Sequence, residues 1–224
     1  MKLQRLFLII IAAIVTVIPE MKAHAAESRP MAHKVLIFGD STTGRLGERL
    51  NAWGQLNGFE VATVCWDGST FQKWAESPNL PEIIEEFQPD AIFISLGANG
   101  LGVKDPEKKI REDYEKIKQT IGDIPTVWIG PPTWTDKTTG EILCEWMAET
   151  IGPTNYFRSF DLDLERTSRK NAHPSKAGSE VWMDTVIEWL ELQGPFSLPD
   201  YQEPEEGEMI KSDFYIYKRM KEAF

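Results

Sequence analysis

The sequence predicts an α/β fold in which helices cover both faces of a parallel sheet. Short apolar runs alternate along the chain with amphipathic helical patterns, which is the order expected of such a sheet. The runs are nearly continuous rather than alternating, which indicates strands buried on both faces. The chain has 224 residues, 42% hydrophobic and 26% charged, a composition typical of one globular domain.

Five apolar runs are the predicted strands. The first ends at Gly39, and turn residues such as Asn57-Gly58 bound the others. The runs cover residues 34–38, 61–64, 91–96, 126–129 and 156–162. The last run has polar interruptions, which makes it the weakest of the five signals.

Helical patterns lie between these runs and follow them. They cover residues 46–56, 81–87, 106–121, 141–151 and a stretch after Pro174. The pattern from Pro106 begins with a proline and places apolar residues on one face, as a helix does. These elements define a domain over residues 33–193. Pro, Glu and Asp accumulate in residues 194–224, which predicts a surface tail that ends in a short helix at 212–223.

The first 25 residues have the three parts of a secretory signal peptide. Lys2 and Arg5 form a basic start, residues 6–18 are apolar, and Ala23-His24-Ala25 is a small-x-small cleavage site. A membrane anchor is the alternative, but 13 apolar residues fall short of the roughly 20 needed to span a bilayer. We expect cleavage near Ala25 and a periplasmic or extracellular protein that keeps no stable membrane anchor.

The charge and the cysteine count narrow the function classes. The chain has 35 acidic and 24 basic residues, for a net charge of −11. Such a charge repels nucleic-acid backbones and anionic membranes and favours a neutral substrate. Two cysteines, Cys65 and Cys144, do not make a disulfide-dense scaffold, and either one bridge or two buried thiols are compatible with the sequence. The Cys and His residues lack the spacing of a zinc site.

Four polar or glycine-rich segments lie where ligands bind in open α/β sheets, at the carboxyl ends of the strands. They are Gly39–Gly44, Asp67–Ser69, Gly97–Gly100 and Asn171–Pro174. Together they supply a hydroxyl, tight backbone turns, a carboxamide and an imidazole. That set indicates acyl transfer at a carbonyl group.

Elimination assigns roles within this set. A serine nucleophile needs a nearby base, and histidine is the side chain that titrates nearest neutrality. His24 leaves with the signal peptide and His33 precedes the first strand, so His173 is the base for Ser41. Donors for the oxyanion are the Gly68 N–H, the Asn99 amide and the Ser41 N–H.

Three of the four segments also have a plainer interpretation. The Gly-Asp-Ser turn is compatible with a helix N-cap, and His173-Pro174 with a helix start. Residues 97–102 are compatible with a glycine-rich connection or a phosphate cradle, but they lack the pattern of a dinucleotide fingerprint or a P-loop. The order of the four segments along one sheet edge favours the functional interpretation.

These residues resemble the SGNH, or GDSL-type, hydrolase superfamily. The four signature positions match Ser41, Gly68, Asn99 and His173, and the resemblance runs from about residue 34 to 192. It implies a flavodoxin-like three-layer α/β/α fold with five parallel strands. It also implies an esterase, a lipase-like enzyme or a carbohydrate O-deacetylase that needs no metal and no cofactor.

The sequence departs from the superfamily pattern at two positions. Lys170 stands where the superfamily usually has an Asp three residues before the histidine, and Gly100 where an Asp often follows the asparagine. The missing acid matters because, in a catalytic triad, the acid holds the imidazole in the correct tautomer. Asp161 or Asp163 is a candidate replacement, and Asn171 or a backbone carbonyl is another.

We therefore expect an exported serine esterase that removes small acyl groups, acetyl above all, from a carbohydrate. Trp134 is a candidate platform for a sugar ring, with a role in packing as the alternative. A sugar O-acyltransferase would use the same residues. The alternative hypothesis that does not involve an enzyme is a glycan-binding protein with a weakened catalytic site.

Overall fold

The computed structural model describes residues 29–133, 140–168 and 171–219, with the backbone alone for residues 171 and 172. Residues 1–28, which include the predicted signal peptide, and Trp134 and Lys170 lie outside the described residues. The strands are β1 Lys34–Gly39, β2 Glu60–Trp66, β3 Ala91–Ser95, β4 Thr126–Ile129, β5 Tyr156–Phe157, β6 Arg166–Ser168, β7 Asn171–Pro174 and β8 Phe214–Lys218. The helices are α1 Thr43–Asn57, α2 Phe71–Ala75, α3 Asn79–Phe87, α4 Pro106–Ile121, α5 Glu141–Ile151 and α6 Lys176–Gln193.

In the described part of the chain, six strands form one parallel sheet in the order β5-β4-β3-β1-β2-β8. The predicted α/β class and parallel sheet are therefore confirmed. The first five strands have the flavodoxin-like order. The order reverses between β1 and β3, and the loops that follow these two strands flank the crevice in which such folds bind ligands.

The sheet separates two apolar cores, as the continuous apolar strands predicted. Strand residues such as Leu36 and Phe38 face α2, α3, α4 and α5. Their neighbours Val35 and Ile37 face α1 and α6 on the other side. Trp53 and Trp182 are fully buried in this second core, where both are at most 1% exposed.

The strand at one edge of the sheet is shorter than the sequence predicts. The run at residues 156–162 is a strand only at Tyr156–Phe157, and a 3-10 turn follows at Ser159–Asp161. The polar residues in this run explain the difference, because Ser159 and Asp161 favour a turn over a ladder. An antiparallel hairpin of β6 and β7 then leads into α6.

The predicted helix at residues 212–223 is wrong. Residues 214–218 instead form β8, a sixth strand that pairs with β2 in parallel register. The segment Phe-Tyr-Ile-Tyr-Lys is rich in aromatic and β-branched residues, which suits a pleated strand better than a helix. Ser212, just before β8, bonds to Thr63 of β2, so the C-terminal segment is part of the sheet.

Both cysteines are buried free thiols, so no bridge joins Cys65 to Cys144. Burial raises the pKa of Cys65 to about 12 and that of Cys144 to about 11. Within the residues that the structure describes, every helix is too short or too polar to cross a lipid bilayer.

Candidate active site

Ser41 and His173 lie together at the carboxyl edge of the sheet. The Ser41 Oγ is 2.8 Å from the His173 Nε2. A serine hydroxyl donates in this arrangement when Nε2 carries no proton. The two residues are 132 positions apart in the chain, so the fold, not local sequence, makes this contact.

Gly39 makes the tight turn that presents Ser41. Its φ is +154°, and a Cβ built there would lie 1.8 Å from the Ser95 carbonyl oxygen of β3. Only glycine permits this approach of β1 to β3. The next residue, Asp40, donates its backbone N–H to the same Ser95 oxygen at 2.9 Å.

Asp40 is buried and fastens two loops of the site together. Its carboxyl group accepts hydrogen bonds from the backbone N–H and hydroxyl of Thr42, and from the backbone N–H of Ala98 at 3.1 Å. Burial raises the pKa of this carboxyl group, and the hydrogen bonds oppose the rise. Asp40 thus holds the Ser41 turn against the loop that carries Asn99.

Asn99 lies in a 3-10 turn after β3, and its side chain is fixed by the loop after β2. The Asn99 Nδ2 donates to the Ser69 carbonyl oxygen at 2.9 Å. An amide nitrogen carries two protons, so this bond leaves a second one for another acceptor. Gly68, one residue before Ser69, has a φ of +63°, a left-handed conformation that favours glycine.

The backbone around His173 is held from three directions. The Thr167 hydroxyl of β6 donates to the His173 carbonyl oxygen at 3.4 Å, and Arg45 of α1 donates to the Pro174 carbonyl oxygen at 3.1 Å. Ser175 caps α6 by accepting the Gly178 N–H at 3.0 Å. The imidazole therefore projects from a short strand that both the hairpin and α1 support.

Asp161 and Asp163 are the candidate acids for orienting the imidazole. The Asp161 carboxylate accepts a hydrogen bond from the Arg158 guanidinium at 2.8 Å, and Asp163 is exposed. Among the contacts that the structure describes, neither carboxylate bonds to His173. Lys170 and the side chain of Asn171 are not described, so the structure does not extend to them.

Two cavities flank the site. Ser41 and His173 line one of about 260 Å³, whose remaining wall is largely polar, with Thr42, Arg45, Asp67, Thr167, Pro174 and Ser179. Asn99 lines the other, of about 190 Å³, in which Phe71, Val103 and Ile110 supply apolar surface.

Sequence reasoning did not single out Arg45 or Thr167, and it placed Asp67 at the sheet edge without giving its side chain a role. Arg45 carries a usable signal, because it lies in the first turn of the helix that follows Ser41. Thr167 lies in a hairpin that no sequence pattern indicated.

Similarity to known proteins is found in structure alone. No protein-family profile and no curated relative matches the chain. A lipolytic protein of the G-D-S-L family from Desulfitobacterium hafniense DCB-2 is similar over 70% of this chain and 99% of its own, with 18% identity and a TM-score of 0.51. The psychrotrophic esterase EstA from Pseudoalteromonas sp. is similar over 71% of this chain and 97% of its own, with 18% identity and a TM-score of 0.50.

A two-domain esterase active on acetylated mannans is also similar. It matches 86% of this chain with 13% identity and a TM-score of 0.55, but this chain spans only 56% of that longer protein. At such identities the likeness is one of fold. The chain has the fold of the SGNH, or GDSL-type, hydrolases.

Proposed function

We propose that this chain is a serine esterase that hydrolyses small acyl esters, acetyl esters in particular, on a carbohydrate. The observation that carries the proposal is the 2.8 Å contact between the Ser41 Oγ and the His173 Nε2. A hydroxyl becomes a competent nucleophile when a base lies within hydrogen-bond distance.

The proposed reaction has two stages. Ser41 attacks the ester carbonyl as His173 takes the hydroxyl proton, and the carbonyl π electrons move onto oxygen. The Gly68 and Ser41 N–H groups and the Asn99 amide donate to that oxyanion. Collapse breaks the bond to the alcohol, which leaves with the proton from His173. Water, deprotonated by His173, then releases the acid and restores Ser41.

The polar cavity favours a hydrophilic alcohol over a lipid. His173 protonates the leaving alcohol, so that alcohol occupies the cavity which His173 lines. Thr167, Ser179 and Arg45 offer hydrogen bonds on its wall. A sugar hydroxyl matches this lining better than an acyl chain does, because hydroxyl and guanidinium groups can form hydrogen bonds with a sugar and not with a hydrocarbon chain. The esterase active on acetylated mannans has the same fold, which adds support for an acetylated sugar.

Acetate release from acetylated mannan oligosaccharides tests this proposal. We expect the mature protein to release acetate. Ser41→Ala or His173→Ala should lose most of this activity, up to about 10⁶-fold, which is the loss in a serine protease without its nucleophile or base. His33→Ala is the matched control, because His33 is exposed at the opposite end of β1. Undiminished release by Ser41→Ala would contradict the proposal. Acetyl transfer to an added glycan, without free acetate, would indicate an acyltransferase instead.

We also propose that the protein is exported by cleavage of residues 1–25, on the strength of the tripartite pattern of that segment. N-terminal sequencing of the protein from the cell envelope or medium tests this. A mature chain that begins near Ala26 is the expected result, and an intact Met1 would contradict it.

A further inference from the structure

We propose that the C-terminal strand β8 is a working part of the active site, in which Tyr217 positions the oxyanion donor Gly68 by holding Asp67. This inference rests on the esterase function proposed above. It gives a catalytic purpose to a strand that lies after the domain predicted from the sequence.

Two contacts join β8 to Asp67. The Asp67 backbone N–H donates to the Lys218 carbonyl oxygen at 2.9 Å. The Tyr217 hydroxyl donates to the Asp67 carboxylate in a short hydrogen bond. Backbone and side chain of Asp67 are therefore both fastened to β8, immediately before Gly68.

These contacts matter because Asp67 and Gly68 share a peptide group, and that group carries the Gly68 N–H. Its direction depends on the backbone angles of these two residues. The Gly68 carbonyl oxygen accepts a hydrogen bond of 3.1 Å from the Lys73 Nζ of α2. The Ser69 carbonyl oxygen accepts one of 2.9 Å from the Asn99 amide. The turn is thus held on its far side by α2 and the Asn99 loop, and on its near side by β8.

The carboxylate itself supplies a second reason for the contact. Asp67 lines the cavity of Ser41 and His173. A negative charge that swings toward a developing oxyanion raises the energy of the transition state. The Tyr217 hydroxyl donates to one oxygen of the Asp67 carboxylate and so restrains that charge against β8.

Tyr217→Phe is the direct test, and Tyr215→Phe is its control on the same strand. Tyr217 is 49% exposed, so loss of its hydroxyl leaves the fold intact. We expect kcat for acetyl-ester hydrolysis to fall about 10-fold with KM unchanged, less than the 10²–10³-fold cost of losing an oxyanion donor outright. An unchanged KM with a lowered kcat indicates an interaction made in the transition state. Tyr215→Phe should keep the wild-type kcat.

A double-mutant cycle with Asp67→Asn separates positioning from general structural support. If Tyr217 acts through Asp67, the double variant should lose no more kcat than the more impaired single variant. A wild-type kcat in Tyr217→Phe, or losses of kcat that multiply in the double variant, would overturn the inference about Tyr217. The esterase proposal would still stand if hydrolysis depended on Ser41. Hydrolysis that survives Ser41→Ala would overturn the esterase, and this inference with it.

Discussion

Arg49 on α1 and Asp184 on α6 are joined by two hydrogen bonds, of 2.8 and 2.9 Å. The Arg49 side chain is 1% exposed, and it also lies 3.3 Å from the carboxylate of Glu180. Its remaining donors bind carbonyl oxygens of the C-terminal segment, those of Pro204, Glu205 and Glu208. Since α1 follows Ser41 and α6 follows His173, this one guanidinium connects the helix after the proposed nucleophile to the helix after the proposed base.

Replacing Arg49 should destabilise the protein strongly. Arg49→Met leaves two carboxylates without their buried partner, and loss of one member of a buried ion pair costs about 3–5 kcal/mol. Urea unfolding would measure this loss. Lys116→Met is the control, because Lys116 and Glu112 form an exposed pair that contributes little to stability. Equal stability of the two variants would contradict the account.

The turn before Ser41 should not tolerate a side chain. Gly39→Ala places a Cβ against the Ser95 carbonyl oxygen, so β1 and β3 must separate at the site. We expect loss of both the proposed esterase activity and cooperative thermal unfolding. Gly58→Ala is matched to it, since Gly58 also has positive φ (+76°) but its Cβ would meet open space. That control should lose only about 1–2 kcal/mol, the cost of a left-handed alanine. Comparable losses in the two variants would show that the Gly39 contact does not matter.

Asn99 should affect turnover more than substrate binding. Asn99→Ala removes the amide that the structure anchors on Ser69, and loss of an oxyanion donor typically lowers kcat by about 10²–10³-fold. Steady-state kinetics on an acetyl ester should show this loss with little change in KM. A raised KM with normal kcat would place Asn99 in substrate binding rather than in oxyanion stabilisation.

The contact between Tyr217 and Asp67 should be visible in an alkaline titration. The hydrogen bond to Asp67 raises the pKa of Tyr217 to about 12, with burial and the charges of Asp67 and Cys65 adding to the rise and Arg219 opposing it. Because the folded pKa exceeds the ordinary value near 10, the stabilisation is fully present below about pH 10. It is lost as the pH rises through about 12.

The pKa of Tyr217 can be measured from phenolate absorbance, by subtracting the titration curve of Tyr217→Phe from that of the wild type. The difference should titrate near pH 12 in the native background. In an Asp67→Asn background it should move toward the ordinary tyrosine value. A transition near pH 10 in both backgrounds would show that the contact does not form in solution.

Much of the fold follows from local sequence. The bounds of α4 and α5 are those that the patterns predict, since Pro106 starts one helix and Gly152 ends the other. The strand β8 was missed because its partner β2 lies about 150 residues earlier. The aromatic residues near Phe214 favour a strand, but no local signal shows that this strand has a partner in the sheet.

Part of the candidate site could also be predicted from the sequence, and part could not. Ser41 and His173 follow from residue chemistry and from their places after β1 and before α6. Arg49, which supports the site by joining the helices that follow these two residues, could not be predicted, because an arginine in a helix ordinarily faces water. Only the fold shows that it is buried among Glu180, Asp184 and the C-terminal segment.

Labelling of the purified mature protein with a fluorophosphonate tests the central claim most directly, because it needs no knowledge of the substrate. Peptide mass spectrometry would locate the adduct, with His173→Ala and His33→Ala in parallel. The account predicts an adduct on Ser41 that is lost in His173→Ala and kept in His33→Ala. An unlabelled Ser41, or labelling that does not depend on His173, would contradict the claim that these two residues form a nucleophile and its base.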